Sequence, residues 1–276
     1  MKKSSGSFID RVWVSLSLLA VIFLTIYYSN QGWARPIFTL VTAIIIGVAL
    51  WEFYNIAKKK GGDPLSGLGI VGSIAYLYTV QLATEIASLK LLPILVLFLV
   101  MILGFLVFIF RGEKPLSNLG TTFFGLIYLT IPLGLLIPIN FNYGRSYLVY
   151  LLVITKLTDM GAYFVGKKFG STKLAPYISP NKSWEGLLGG AVLGLGASFL
   201  MKDFIGLSPL ASVLLGLLIA SASIFGDLTE SLLKRDLGVK DSSQLPGLGG
   251  FFDLVDSLIF ATPLFYFYLK LSEAAL

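Results

Sequence analysis

Along this chain the apolar residues come in long unbroken blocks, neither alternating with polar residues nor confined to one helical stripe. Nine blocks stand out, at about residues 12–28, 36–56, 66–83, 91–110, 119–139, 147–169, 184–201, 209–230 and 254–270. Each approaches the roughly 20 residues that a helix needs to cross the hydrocarbon core of a bilayer. Short polar segments separate them, most clearly Gly61–Gly62–Asp63–Pro64 and Gly112–Glu113–Lys114–Pro115. The pattern predicts an all-α polytopic membrane protein with about nine transmembrane helices. No internal repeat or low-complexity tract breaks it, so residues 1–276 are expected to form a single integral membrane domain. Within it, residues 1–145 read as scaffold helices and residues 146–276 as catalytic helices with their loops. The few polar groups of the first half, such as Glu52 and Asn55, fall near span ends, where they are expected to reach the interface.

Composition sharpens this picture. Hydrophobic side chains make up 56% of the chain and charged ones 13%, with a mean hydropathy of +0.84. Soluble proteins carry about 25% charged residues, so lipid is the solvent here. The basic start, Met1–Lys2–Lys3 to Arg11, resembles the opening of a signal peptide. The apolar run that follows is longer than a usual signal core and lacks a small-residue cleavage site before Trp33–Arg35, so a retained first span is expected. With nine alternating spans, 15 of the 21 Lys and Arg residues fall on one set of loops and five on the other, with Lys156 inside a span. The positive-inside rule then places the N-terminus in the cytoplasm and the C-terminus outside. That asymmetry also accounts for the net charge of +6 without nucleic acid as a partner.

The chain has no cysteine and no histidine. Disulfides, thiolate metal sites and the usual general base are therefore excluded. Acid–base or metal chemistry must rest on carboxylates and lysines, and carboxylate oxygens favour hard ions such as magnesium or manganese.

The charges that break the apolar pattern lie in the second half. Lys156 and Asp159 are three apart inside the sixth span, hence on one helical face, where they form an ion pair or part of a site. The loop Gly166–Lys167–Lys168 to Gly186 is a basic juxtamembrane segment. Its stretch Ser179–Pro180–Asn181–Lys182–Ser183–Trp184–Glu185 sets hydroxyls, an amide and an ammonium at the start of the seventh span. Ser183 can cap that helix, and free N–H groups at a helix start bind phosphate. Asp227, Glu230, Ser231 and Lys234 recur at helical spacing on the eighth span, followed by Arg235 and Lys240. Pro246–Gly247–Leu248–Gly249–Gly250 is a turn able to bring backbone N–H groups to an anion. Asp253 and Asp256, three apart at the entry to the last span, serve either as favourable helix N-terminal charges or, with the stripe from Asp227, as ligands of a divalent metal.

Several of these blocks, in this order, resemble the phosphatidate cytidylyltransferases, also called CDP-diacylglycerol synthases. They are Asp159–Met160–Gly161–Ala162–Tyr163, Gly166–Lys167–Lys168–Phe169–Gly170, Ser179–Pro180–Asn181–Lys182–Ser183–Trp184–Glu185–Gly186, Gly226–Asp227–Leu228–Thr229–Glu230–Ser231, Lys234–Arg235, Lys240–Asp241, the glycine turn, and Asp253–Leu254–Val255–Asp256–Ser257. The resemblance covers about residues 155 to 265. The chain departs from the family pattern at Leu248, where a histidine is usual, and at Leu254, where an arginine is usual; the stretch between Asp241 and Pro246 is one residue short.

The resemblance implies transfer of a cytidylyl group from CTP to phosphatidic acid, with both substrates and the membrane lipid as partners. It implies Asp227, Asp253 and Asp256 as ligands of Mg²⁺, with room for a second cation. Lys234, Arg235, Lys240 and Asp256 would act in catalysis. Ser179, Asn181, Lys182, Ser231, Gly249, Gly250 and Asp159 would hold substrate. The site would face the cytoplasm from a bacterial inner membrane, and self-association is left open. Rival readings are an ion-coupled transporter, which calls for inverted repeats, an alcohol phosphatidyltransferase, whose signature is absent, and a catalytically silent relative.

Overall fold

The computed structural model describes residues 8–112, 114–239 and 250–274. The predicted blocks all fall on helices: α1 (Phe8–Tyr28), α2 (Arg35–Lys59), α3 (Ser66–Glu85), α4 (Leu92–Arg111), α5 (Pro115–Tyr143), α6 (Arg145–Phe169), α7 (Trp184–Leu200), α8 (Pro209–Asp236) and α9 (Phe251–Ala274). Seven helices among the described residues are long and apolar enough to cross a membrane; Leu16–Tyr28 and Trp184–Leu200 are shorter apolar helices. A helix satisfies its own backbone hydrogen bonds, which is what lets such blocks reside in lipid. Among the described residues the one strand pair is a short antiparallel hairpin, β1 (Lys173–Ala175) and β2 (Ser179–Ser183), within the basic loop.

The chain forms two compact units, Met1–Asn142 with Leu237–Leu254, and Tyr143–Asp236 with Val255–Leu276. In the first, α2 is the central helix, with Ile46, Ala49, Leu50, Phe53, Tyr54 and Ile56 buried. The Tyr54 ring lies between Gly69 of α3 and Gly125 of α5, where a Cβ on Gly125 would come within 2.7 Å of the hydroxyl. That hydroxyl donates to the Thr122 carbonyl at 2.8 Å. α5 is interrupted by π-type turns at Leu126–Thr130 and Ile139–Tyr143. Its side chains also hold the α2–α3 loop, since Asn118 Oδ1 and Thr122 Oγ1 each accept a backbone N–H, from Asp63 and Leu65, at 2.9 Å.

Glu52 corrects the sequence reading. It does not reach an interface but is 2% exposed. Its two carboxylate oxygens accept the backbone N–H groups of Phe251 at 3.2 Å and Phe252 at 2.9 Å. These are among the donors that a helix start leaves without internal partners, and a carboxylate there is favoured by the helix dipole. Phe252 is buried beside Phe53 and Tyr128.

In the second unit α6 and α7 pack backbone to backbone. A Cβ on Gly161 would lie 2.7 Å from the Gly189 carbonyl oxygen, and one on Gly190 would lie 2.8 Å from that of Thr158. Gly186, Gly190 and Gly194 recur every four residues along the buried face of α7, the small-residue spacing that brings membrane helices together. α8 meets α9 in the same way: Gly226 lies against the carbonyl oxygen of Asp256, too close for any side chain.

Candidate active site

The site is assembled in the second unit from α6, the hairpin, α7, α8 and α9. Its floor is set by the close approach at Gly226, which brings the neighbouring Asp227 to Asp256. Among the described residues, Asp227, Glu230 and Asp256 each offer a carboxylate oxygen, and the three oxygens lie within 4.8 Å of one another. Glu230 is 1% exposed and Asp256 9%.

Lysines surround these acids. Lys182 of β2 meets Asp227 at 2.6 Å, and Lys234 meets Glu230 at 2.8 Å one helical turn away. Lys156 meets Asp159 at 3.3 Å, and the Ser223 hydroxyl donates to the other oxygen of Asp159 at 3.3 Å. Asp256 has no ion pair among the described residues; one of its oxygens accepts the backbone N–H of Ser257. A buried carboxylate in that position calls for a cation. Three convergent carboxylate oxygens, one of them unmatched by a lysine, therefore suit a hard divalent ion.

Beside the acids lies a cavity of about 530 Å³. Its polar lining is Asp159, Tyr163, Lys167, Ser179, Asn181, Lys182, Ser183 and Asp227, with Leu174, Leu187 and Ile224 as apolar walls. The hairpin that carries much of this lining is held at three places. Ser183 caps α7 by accepting the Gly186 N–H at 3.1 Å. Arg235 Nε donates to the Ile178 carbonyl at 3.0 Å. The Glu185 carboxylate accepts from the Ser171 hydroxyl at 2.8 Å and from the backbone N–H groups of Ser171 and Thr172. Those bonds, that of Ser171 first, lower the Glu185 carboxyl to about 2.

The sequence-derived candidates are thus placed unevenly. Asp159, Ser179, Asn181, Lys182 and Asp227 gather around one cavity, with Asp256, Glu230 and Lys234 at its acidic end. Ser231 lies on α8 beside Glu230, and Arg235 supports the hairpin. Asp253 sits in the first turn of α9, three residues before Asp256 and outside the close trio, and Gly250 precedes that helix. Lys240 and Gly249 lie outside the described residues. Glu230 is the ligand-distance carboxylate that the metal assignment lacked, although its three-residue step from Asp227 already marked it on the same face. Tyr163 and Lys167 line the cavity without having been singled out; only their places in the Asp159–Tyr163 and Gly166–Gly170 blocks hinted at it.

Fold and site together define an integral membrane protein with a lysine-ringed carboxylate cluster suited to phosphate groups and a divalent cation. Residues 9–272 match the cytidylyltransferase family, and the chain belongs to it. It is therefore a CTP-dependent nucleotidyltransferase. A phosphatidate cytidylyltransferase of Chlamydia pneumoniae is 30% identical over 98% of this chain and 94% of its own length. One of Bacillus subtilis is 34% identical over 92% of this chain and 95% of its own. One of Haemophilus influenzae is 44% identical over 46% of each.

Proposed function

We propose that this protein transfers the cytidylyl group of CTP to phosphatidate, forming CDP-diacylglycerol and diphosphate, with Mg²⁺ as the cation. The observation that carries the reading is the meeting of Asp227, Glu230 and Asp256 at the end of a cavity lined by Lys167, Ser179, Asn181 and Lys182. Family membership and the relatives' names support it.

In this reaction an oxygen of the lipid phosphate attacks the α-phosphorus of CTP, and the bond from that phosphorus to the β-phosphate oxygen breaks. The attacking oxygen is already ionised, so the site needs charge neutralisation and alignment more than a strong base. A chain without histidine meets that need. Asp227, Glu230 and Asp256 are the residues that would hold Mg²⁺. The ion supplies charge neutralisation to the phosphates. Lys182 and Lys167 bind nucleotide phosphates from the cavity wall, and Asn181, Ser179 and Ser231 orient them through hydrogen bonds. Lys234 pairs with Glu230 of that cluster. Arg235 fixes the hairpin. Residues 1–145 serve as scaffold and residues 146–276 carry the chemistry. The site faces the cytoplasm, where CTP is, from the inner membrane of a bacterium.

The test is direct. Purified protein in detergent, given labelled CTP, phosphatidate and Mg²⁺, is expected to form labelled CDP-diacylglycerol. Asp256→Asn is expected to lower the rate at least about a hundredfold, the scale of losing an electrostatic element of the transition state. A parent protein that forms no labelled lipid would sink the reading, and a fully active variant would sink the role of Asp256.

A further inference from the structure

Lys156 lies outside the nucleotide arrangement above. It is the twelfth residue of the 25-residue helix α6. At 1.5 Å per residue it stands roughly 16 to 20 Å from either end of that helix. A lysine at such depth does not face acyl chains; it faces water, a carboxylate or another anion. Its side chain is nonetheless 44% exposed, and that of its partner Asp159 is 34% exposed. The ammonium donates to Asp159 at 3.3 Å and to the Ser257 hydroxyl at 3.1 Å.

Asp159 lines the cavity, whereas Lys156 does not. The carboxylate cluster is therefore met by lysines from two places, the cavity wall and mid-helix of α6. Lys167 and Lys182 flank it from the cavity beside the hairpin. Lys156 flanks it from mid-helix, next to Ser257, the residue that follows Asp256. A soluble nucleotide suits the first, which opens beside a polar loop. The second lies at acyl depth and suits a phosphate that arrives already attached to a lipid.

We infer that Lys156 receives the phosphate of the lipid substrate, a phosphomonoester anchored by its acyl chains, and so sets the affinity for the acceptor. In this role Asp159 and Ser257 are positioning residues: they hold the ammonium at the edge of the cluster. The inference rests on the cytidylyl-transfer reading and assigns one of its two substrates to a residue that reading leaves unused.

Because the chain has no cysteine, Lys156→Cys can be converted at that single position to a lysine analogue by aminoethylation. The kinetics would be measured with dioleoyl phosphatidate in mixed micelles, CTP and Mg²⁺. Lys156→Cys is expected to raise the KM for phosphatidate about tenfold or more, the scale of one charge-assisted phosphate contact. The KM for CTP should stay within about twofold of the parent, which also reports an intact fold. Aminoethylation should return the phosphatidate KM towards the parent value. An unchanged phosphatidate KM, an equal rise in both KM values, or a defect that aminoethylation leaves in place overturns the inference. In those cases an active parent leaves the cytidylyl-transfer reading standing. A parent that forms no CDP-diacylglycerol overturns that reading, and the assignment of Lys156 with it.

Discussion

Single side chains in this protein work as matched charges in a poor solvent. Glu230 and Lys234 show the consequence most plainly, at 1% and 12% exposure and 2.8 Å apart. Removing one member breaks the buried pair, which costs about 3 to 5 kcal/mol, whereas replacing both is far milder. Lys234→Met is therefore expected to lower the melting temperature in detergent and the activity together. The double variant Glu230→Gln/Lys234→Met should recover most of the stability but not the activity; a double variant as unstable as the single one would refute the pairing. Glu185 behaves differently, because it sits half-buried at the loop and acts through hydrogen bonds to Ser171 and Thr172. Its folded-state carboxyl is lowered to about 2 from 4.5, so its contribution is fully present above pH 4.5 and fades only as pH falls towards 2. Limited proteolysis of the loop over residues 170–183 should thus be constant between pH 5 and 8. Glu185→Gln should speed that cleavage across the same range.

Elements are positioned by backbone contacts that leave no room for side chains. Gly190→Ala would push a methyl to within 2.8 Å of the Thr158 carbonyl oxygen, whereas the position of Gly196, six residues on, has nothing within 4 Å. The first change is expected to cost about 1 to 3 kcal/mol through overpacking. Gly196→Ala is expected to be neutral or stabilising by up to about 1 kcal/mol, since alanine favours the helix. Thermal unfolding of the two variants side by side checks the contrast, and equal melting points would contradict the α6–α7 packing. Glu52 is the other positioning device at this scale. Glu52→Ala leaves the N–H groups of Phe251 and Phe252 without that carboxylate, at about 1 to 3 kcal/mol for each buried donor left unmet. Glu52→Gln retains one acceptor oxygen and should lose less. The same melting measurement separates them.

For the whole molecule, the uneven split of basic residues leads to a topology that can be measured. A chain free of cysteine is a ready background for single-cysteine labelling. Lys60→Cys is expected to react with an impermeant reagent only from the cytoplasmic side, and Lys90→Cys only from outside. Labelling of both from one side would refute the alternation of α2, α3 and α4 across the membrane. The same scale shows where pattern reading reached its end. Long apolar blocks made the helices legible because lipid imposes one rule, internal backbone hydrogen bonding, on every spanning segment. The hairpin of residues 173–183 was not legible, since its strands are three and five residues long and carry no alternating apolar face. Glu52 was misplaced for a related reason: position along a helix does not reveal which helix start packs beside it.

By itself the sequence determined a helical membrane protein whose chemistry must run on carboxylates and lysines, because it contains neither cysteine nor histidine. It also determined that Asp227, Glu230 and Lys234 share a face, and that Asp253 and Asp256 lie one turn apart, since helical spacing fixes both. Only the tertiary structure decided which acids meet. The contact of Gly226 with the Asp256 backbone brings Asp227 and Glu230 to Asp256, while Asp253 stays in the first turn of α9. It also decided that Lys182 belongs to Asp227, 45 residues away in the chain, and that Lys156 stands outside the cavity that its partner Asp159 lines. Sequence spacing governs neighbours within one helix, whereas distances between helices depend on how closely their backbones pack.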